Sequence, residues 1–415
     1  MKTNKRAIVG GMFWSLLERM AVQLVSLVVG IVLARLLTPA EYGTVSLVTI
    51  FVAIANVFVT NGFGTALIQK DKTDNIDFST VFYFSIFSSL GLYGILYLAA
   101  IPIAGFYQMP ILIPILRVLS IKIPISAINS VQQAYVSRHM IFKKFFWATL
   151  LGTLASAVVG MTLAYCGFGA WALVGQDLTN TIIDTIILWF TVKWRPIWIF
   201  SFDRLKVLFG YGWKLLLQGL FISIYGNIRS LLIGKFYSSQ DLAYYSKGNG
   251  YPNLIAANIN TAMSNVLFPA LSKEQQNYRS IAFITKKATK LISYIMSPLL
   301  VGFATVGNTF ITVVLTDKWQ PMLPYLLIIC VCLLVRPAQT ATLQAIKATG
   351  RSDVVLKMDI PIRIFGLLTL VVSLKFGVIY FAISEVIVEY FGFFVYGIMC
   401  SKIVGYKIGE IIIDI

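Results

Sequence analysis

The 415-residue sequence predicts an all-α polytopic membrane protein, and three observations carry that expectation. Hydrophobic residues make up 58% of the chain and charged residues 12%, about half the charged share of an ordinary soluble domain. The mean hydropathy is +0.81. The apolar residues gather into runs of roughly 20 or more, the length a helix needs to cross the hydrocarbon core of a bilayer. Finally, the Lys and Arg residues sort by side of those runs.

The expected count is about twelve transmembrane helices, near 11–34, 43–66, 79–106, 111–133, 146–166, 169–192, 210–234, 251–271, 288–315, 322–345, 354–374 and 377–401. The first follows the basic start MKTNKR, but it is too long for a secretory leader and has no small-residue cleavage site. With the N-terminus in the cytoplasm, the outer breaks carry Arg35, Lys235, Lys247, Lys318 and Lys375. The inner breaks hold most of the other cations, among them Lys2, Lys5, Arg6, Lys72, Lys143, Lys144, Lys286, Lys287, Lys402 and Lys407. By the positive-inside rule both termini are then cytoplasmic. The net charge of +17 follows from topology, and no nucleic-acid partner is expected.

Residues about 200 apart resemble each other in order. The first run with its flank, FWSLL to ARLLTPAEYG, lines up with YGWKLL to GKFYSSQDLAYY, so that Trp14 meets Trp213, Arg35 meets Lys235, Thr38 meets Ser238 and Glu41 meets Asp241. TALIQK at 65–70 echoes PALSKE at 269–274, and FGAWALVGQD at 168–177 aligns with FGVIYFAISE, pairing Asp177 with Glu385. The expectation is a duplicated unit of six spans: an N-terminal lobe at 1–195, a cytoplasmic linker at 196–209, a C-terminal lobe at 210–401 and a tail at 402–415, possible approach to a further helix pair. With six spans each, the lobes would be related by a pseudo-two-fold along the membrane normal, around a central cavity, the parallel-repeat design of transporters.

Ionisable groups inside spans are costly, about 2.5–3.5 kcal/mol each at a helix centre on the insertion scale. Glu18, Arg19, Arg117, Lys122, Asp177, Asp184, Lys214, Arg229, Arg336, Arg363, Glu385 and Glu389 all fall there, which points to a polar interior. Asp177 and Asp184 are spaced to share one helix stripe, as are Glu385 and Glu389. Arg117, Lys214 and Arg363 lie close enough to span ends to snorkel. Glu18 and Arg19, as helix neighbours, point about 100° apart, so each needs its own partner. Pro124, Pro298 and Pro337 are placed to bend their helices, Pro337 directly after Arg336.

Other chemistries find little footing. Cys166, Cys330, Cys332 and Cys400 lie in or beside apolar runs and predict neither disulfide nor metal site, and His139 sits in a basic inner loop. There is no phosphate-cradling Gly-rich loop and no sizeable outer loop bearing catalytic groups, so no cofactor and no covalent chemistry are expected. A membrane glycan polymerase or glycosyltransferase is thereby the more distant alternative.

The stretches ARLLTPAEYG, NGFGTALIQK, FGAWALVGQ, IGKFYSSQDLAYYSKG, VLFPALSKEQ, LTDKWQP and LQAIKATGRSD together resemble a known family. It is the polysaccharide transporters, or lipid-linked oligosaccharide flippases, of the multidrug/oligosaccharidyl-lipid/polysaccharide exporter superfamily. The resemblance implies a bacterial inner-membrane protein with two six-helix lobes and alternating access. It also implies an undecaprenyl-diphosphate-linked oligosaccharide as cargo, for O-antigen, capsule or exopolysaccharide assembly, and polymerase and glycosyltransferases as neighbours. Substrate-binding roles carry over to Arg19 and then to Lys122, Lys214, Arg229 and Arg336; Glu18, Asp177, Asp184, Glu385 and Glu389 are candidates for coupling to Na⁺ or H⁺ or for pairing with the cations. An ion-coupled multidrug extruder of the same superfamily is the nearer alternative.

Overall fold

The computed structural model describes the backbone of residues 5–61, 63–70 and 73–415, and side chains from Trp14 onward except those of Tyr211 and Ser352. Lys2 and Lys72, placed above among the inner cations, lie outside the described residues. In chain order the helices are α1 Lys5–Leu36, α2 Pro39–Thr60, α3 Phe63–Gln69, α4 Asn75–Tyr107, α5 Leu112–Leu119, α6 Lys122–Arg138, α7 Phe142–Tyr165 and α8 Ala170–Thr191. There follow α9 Phe202–Phe236, α10 Ser239–Lys273, α11 Tyr278–Phe310, α12 Leu323–Leu333, α13 Arg336–Ala348, α14 Ser352–Ser373, α15 Val378–Val404 and α16 Ile408–Ile413. The chain divides into two compact units, Met1–Leu242 and Ala243–Ile415. In the first, α7 packs against α8 and α1, α6 against α4, α8 and α2, and α9 against α2, α3 and α4. In the second, α13 and α14 pack on α15, and α11 on α12 and α13.

Among the described residues, ten helical stretches are long and apolar enough to cross a membrane, so the chain is an all-α, multi-span membrane protein. Of the twelve runs expected from sequence, α8 and α14 fall short of that apolarity. The reason is chemical: α8 carries Gln176, Asp177, Asn180 and Asp184 along its length, and α14 carries Asp353, Lys357, Asp359 and Arg363. Both are helices of 22 residues, long enough to span roughly 33 Å at 1.5 Å per residue.

Several sequence matches acquire a physical cause. At α2 the Thr38 hydroxyl accepts from Glu41 N at 3.3 Å while the Glu41 carboxylate accepts from Thr38 N at 2.7 Å. At α10 the Ser238 hydroxyl accepts from Asp241 N at 3.0 Å and the Asp241 carboxylate accepts from Ser238 N at 3.2 Å. Both are capping boxes, which satisfy amides that a helix start otherwise leaves open. Likewise Gly169 before α8 and Gly377 before α15 both take positive φ, +56° and +112°, a conformation that glycine adopts without Cβ strain.

One end of the first unit is tied by cations. Asp77, fully buried, accepts from Lys70 Nζ at 2.7 Å and Arg204 at 3.2 Å. Arg204 also reaches Asp74 at 3.3 Å, and Arg138 donates to the Leu67 and Ile68 carbonyls that end α3. Asp74 caps α4, and the bond from the Asp77 backbone N–H holds its carboxyl below the usual range, helped by Arg204. These contacts brace the segment between α8 and α9 against the start of α4, where Ile197 N and Ser201 N also donate to Ser79 and Thr80.

Candidate functional site

Within the first unit, α1, α2, α6, α7 and α8 line an open polar cavity of about 460 Å³, a volume typical of small-ligand sites. Its wall includes Ser26, Tyr42, Ser46 and Thr49, with Gln176 and Asn180 from α8. Lys122 and Asp177 stand in the same wall and pair at 2.6 Å, their side chains 24% and 32% exposed. The geometry has a local origin. Pro124 removes the backbone donor that would meet the Ser120 carbonyl, and such a loss bends a helix; the stretch from α5 to α6 turns there through tighter bonds, Ile121 N to Val118 O and Ile123 N to Ser120 O. Lys122 opens the continuation.

The second unit repeats this arrangement with different chemistry. The stretch from α12 to α13 turns at Leu334 and Val335, and Arg336 opens α13 directly before Pro337. Arg336 Nε donates to Glu389 at 3.0 Å and its Nη1 to Asn253 Oδ1 at 3.0 Å. Asn253 in turn bonds the Asn249 side chain. Glu385, one helical turn before Glu389, accepts from the Tyr245 hydroxyl at 2.8 Å and from Asn249 at 3.4 Å. The sequence alignment set Asp177 opposite Glu385; in ion pairing it is Glu389 that resembles Asp177, because each takes the cation that opens the helix after the bend.

The remaining predicted residues fall as follows. Glu18 is half-buried on α1 and faces Thr149 of α7, with Asp184 near it, while Arg19 beside it is exposed. Asp184 accepts from Asn129 Nδ2 at 2.7 Å, so Asp177 and Asp184, though on one helix, have separate partners. Lys214 is exposed on α9. Arg229 on α9 is half-buried, with its Nε enclosed and without a hydrogen-bond partner. Arg117 lies over the Tyr97 ring at 4.2 Å and donates to its carbonyl, an anchoring role. Sequence reasoning missed Asn129, Tyr245, Asn249 and Asn253. A signal for two of them was present, since Asn249, Asn253 and Asn260 recur at steps of four and seven along α10 and so share one stripe. Asn260 lies within bonding distance of Thr340 on α13, 3.3 Å.

What the arrangement can do chemically is bind and exchange charge. Among the described residues, no cluster of three or more His, Cys, Asp or Glu is placed to hold a metal. A multi-helix bundle with a polar cavity and paired charges inside its membrane-spanning part is the architecture of a membrane transporter. The chain belongs to the family described as "Polysaccharide biosynthesis protein", matched over residues 32–324. It is similar to the teichuronic acid biosynthesis protein TuaB of Bacillus subtilis, 25% identical over 91% of this chain and 78% of that one. Its fold is like that of the lipid II flippase MurJ in an inward closed conformation, with TM-score 0.72, 13% identity and coverage of 97% and 90% of the two chains. It is also like that of an inward-facing multidrug resistance MATE family transporter of the MOP superfamily, with TM-score 0.66, 16% identity and coverage of 92% and 95%.

Proposed function

We propose that this protein is a flippase that carries an oligosaccharide linked to undecaprenyl diphosphate from the cytoplasmic to the outer leaflet of a bacterial inner membrane. The family match over residues 32–324 carries this reading. The fold is shared by a flippase and a multidrug transporter, so the fold leaves the cargo open, and the relative active in teichuronic acid biosynthesis favours a glycan. The product would feed lipopolysaccharide, capsule or exopolysaccharide assembly, beside the glycosyltransferases that build the cargo and a polymerase that consumes it.

In this reading the chain forms twelve spans in two six-helix lobes, with both termini cytoplasmic. The twin capping boxes, twin bent helices and twin positive-φ glycines support duplication. Arg19 and Lys122 receive the diphosphate, with Lys214 and Arg229 as further contacts. Guanidinium and ammonium donors replace the hydration that the head group loses. Arg336, already engaged on two sides, chiefly holds its own helices. The cycle runs by differential affinity of two conformations for cargo, with no covalent step, and an ion gradient supplies direction.

The test is a deletion strain scored for surface glycan and complemented with wild type, Arg19→Ala and Lys122→Ala. Loss of glycan with intracellular build-up of the lipid-linked precursor, rescued by wild type and poorly by either variant, is expected. Normal glycan in the deletion together with altered efflux of cationic dyes would replace this reading with the multidrug one.

A further inference from the structure

Asp184 and Asn129 leave a matched pair of atoms unsatisfied. Asp184 Oδ2 accepts from Asn129 Nδ2 at 2.7 Å, yet Asp184 Oδ1 and Asn129 Oδ1 are both buried without a hydrogen-bond partner. Asn129 is only 5% exposed. Here α7 packs closely on α8, since an added Cβ at Gly152 would stand 3.3 Å from the Asp184 amide nitrogen and 3.5 Å from its Cβ. Both orphan atoms are acceptors when Asp184 is a carboxylate, and buried acceptors without donors are costly. A single proton on Asp184 Oδ1 changes the account, since it supplies one donor and removes a charge from the membrane interior. A carboxylic acid and a primary amide can then join edge to edge, amide N–H to one acid oxygen and acid O–H to the amide oxygen.

We propose that Asp184 is held as a neutral carboxylic acid paired through both edges with Asn129, and that this pair is where the protein takes up and releases a proton. The proposal rests on the transporter reading above and names its coupling ion.

The surrounding charges fit. On α1, Glu18 faces Asp184, with Arg19 next to it. On α6, Lys122 is engaged by Asp177. On α7, Lys144 donates to the Thr191 carbonyl and Lys143 lies near the Trp14 ring. On α5, Arg117 is turned to Tyr97, and on α2, Glu41 closes its capping box. The charged group near the pair is therefore another carboxylate, Glu18, and among the described residues no cation is paired with Asp184 to hold it ionised. On release, the Oδ1–H bond breaks, its electron pair stays on Asp184, and the proton passes to water or to the half-buried Glu18.

The experiment is infrared spectroscopy of the purified full-length protein in nanodiscs, without cargo, across a pH series. Expected is a carbonyl-stretch band of a protonated carboxylic acid at neutral pH that disappears in Asp184→Asn and moves to higher frequency in Asn129→Ala, where the acid loses its amide partner. Asp184→Asn should fold, because two amides can form the same reciprocal pair of hydrogen bonds, and its thermal midpoint reports this. In proteoliposomes, an imposed pH gradient should accelerate flipping of a lipid-linked glycan by the wild type and not by Asp184→Asn. An unchanged band in folded Asp184→Asn overturns the proposal, as does a missing band with thermal stabilisation by Na⁺ that Asp184→Asn abolishes. A wild type that shows the band but flips no glycan retains the protonated pair while refuting the transport reading.

Discussion

The two units answer one structural problem differently. Each bends a helix at a proline, opens the continuation with a cation and gives that cation to an acid on a later helix of the same unit. In the first unit the cation is Lys122, a flexible ammonium with one described carboxylate partner, standing in the wall of an open polar cavity. In the second it is Arg336, a planar fork with Glu389 on one side and Asn253 on the other, inside a network that runs on to Asn249, Tyr245 and Glu385. The difference teaches that charge inside a membrane serves two ends. A Lys held by one partner can exchange it for a ligand at modest cost, whereas an Arg held by several fixes helix positions.

The largest expected effect comes from breaking the fixed side. Arg336→Ala strands Glu389; a fully buried pair broken this way costs about 3–5 kcal/mol, and the 28% and 20% exposure of these side chains lowers the expectation to about 2–3 kcal/mol. Thermal unfolding in detergent should show a large drop, and a drop no greater than that of Lys122→Ala would end the contrast drawn here. Lys122→Ala itself should cost on the order of 1 kcal/mol, near the upper end for solvated pairs, while strongly reducing surface glycan. The double variant Lys122→Ala/Asp177→Ala should regain stability without regaining glycan, a combination that a purely structural pair would not produce.

Next in size are the helix starts. Thr38→Ala and Ser238→Ala should each cost about 1 kcal/mol, in equal measure, if the two capping boxes are equivalent; unequal losses would show that tertiary contacts outweigh the local motif. Smallest is Asp74, whose carboxyl is held low by the Asp77 N–H. A depressed carboxyl contributes stability above its unfolded value of roughly 4, and that contribution fades as pH falls through the lower folded value. Asp74→Asn should therefore lower stability slightly at neutral pH, where the contribution is fully present, and converge with the wild type below roughly pH 4, which flattens the acid limb of the stability–pH curve.

Sequence reasoning reached the class, the family and the charged residues because each leaves a local mark: hydropathy, short motifs, or a formal charge where none is expected. Lys122, Asp177, Arg336 and Glu389 were all visible as misplaced charges. Their pairing was not, because 55 and 53 residues separate the partners and the register of helix packing decides which acid meets which base. By ion pairing, Asp177 and Glu389 play like parts, each bonded to the cation that opens the helix after a bend. Amides such as Asn129 and Asn253 escaped because they carry no charge to mark them in an apolar run. The ionisable groups flagged in α8 and α14, Asp177, Asp184 and Arg363, lie on helices of 22 residues that are the less lipid-like members of the set.

The glycine turns that precede α8 and α15 differ in what surrounds them. A Cβ at Gly169 would lie 2.3 Å from Glu41 Oε1, on the carboxylate that closes the capping box of α2, whereas a Cβ at Gly377 would meet nothing within 4 Å. The α14–α15 turn is therefore the natural attachment point for a fluorophore or an affinity tag, and the α7–α8 turn, keyed to Glu41, is the one to leave untouched.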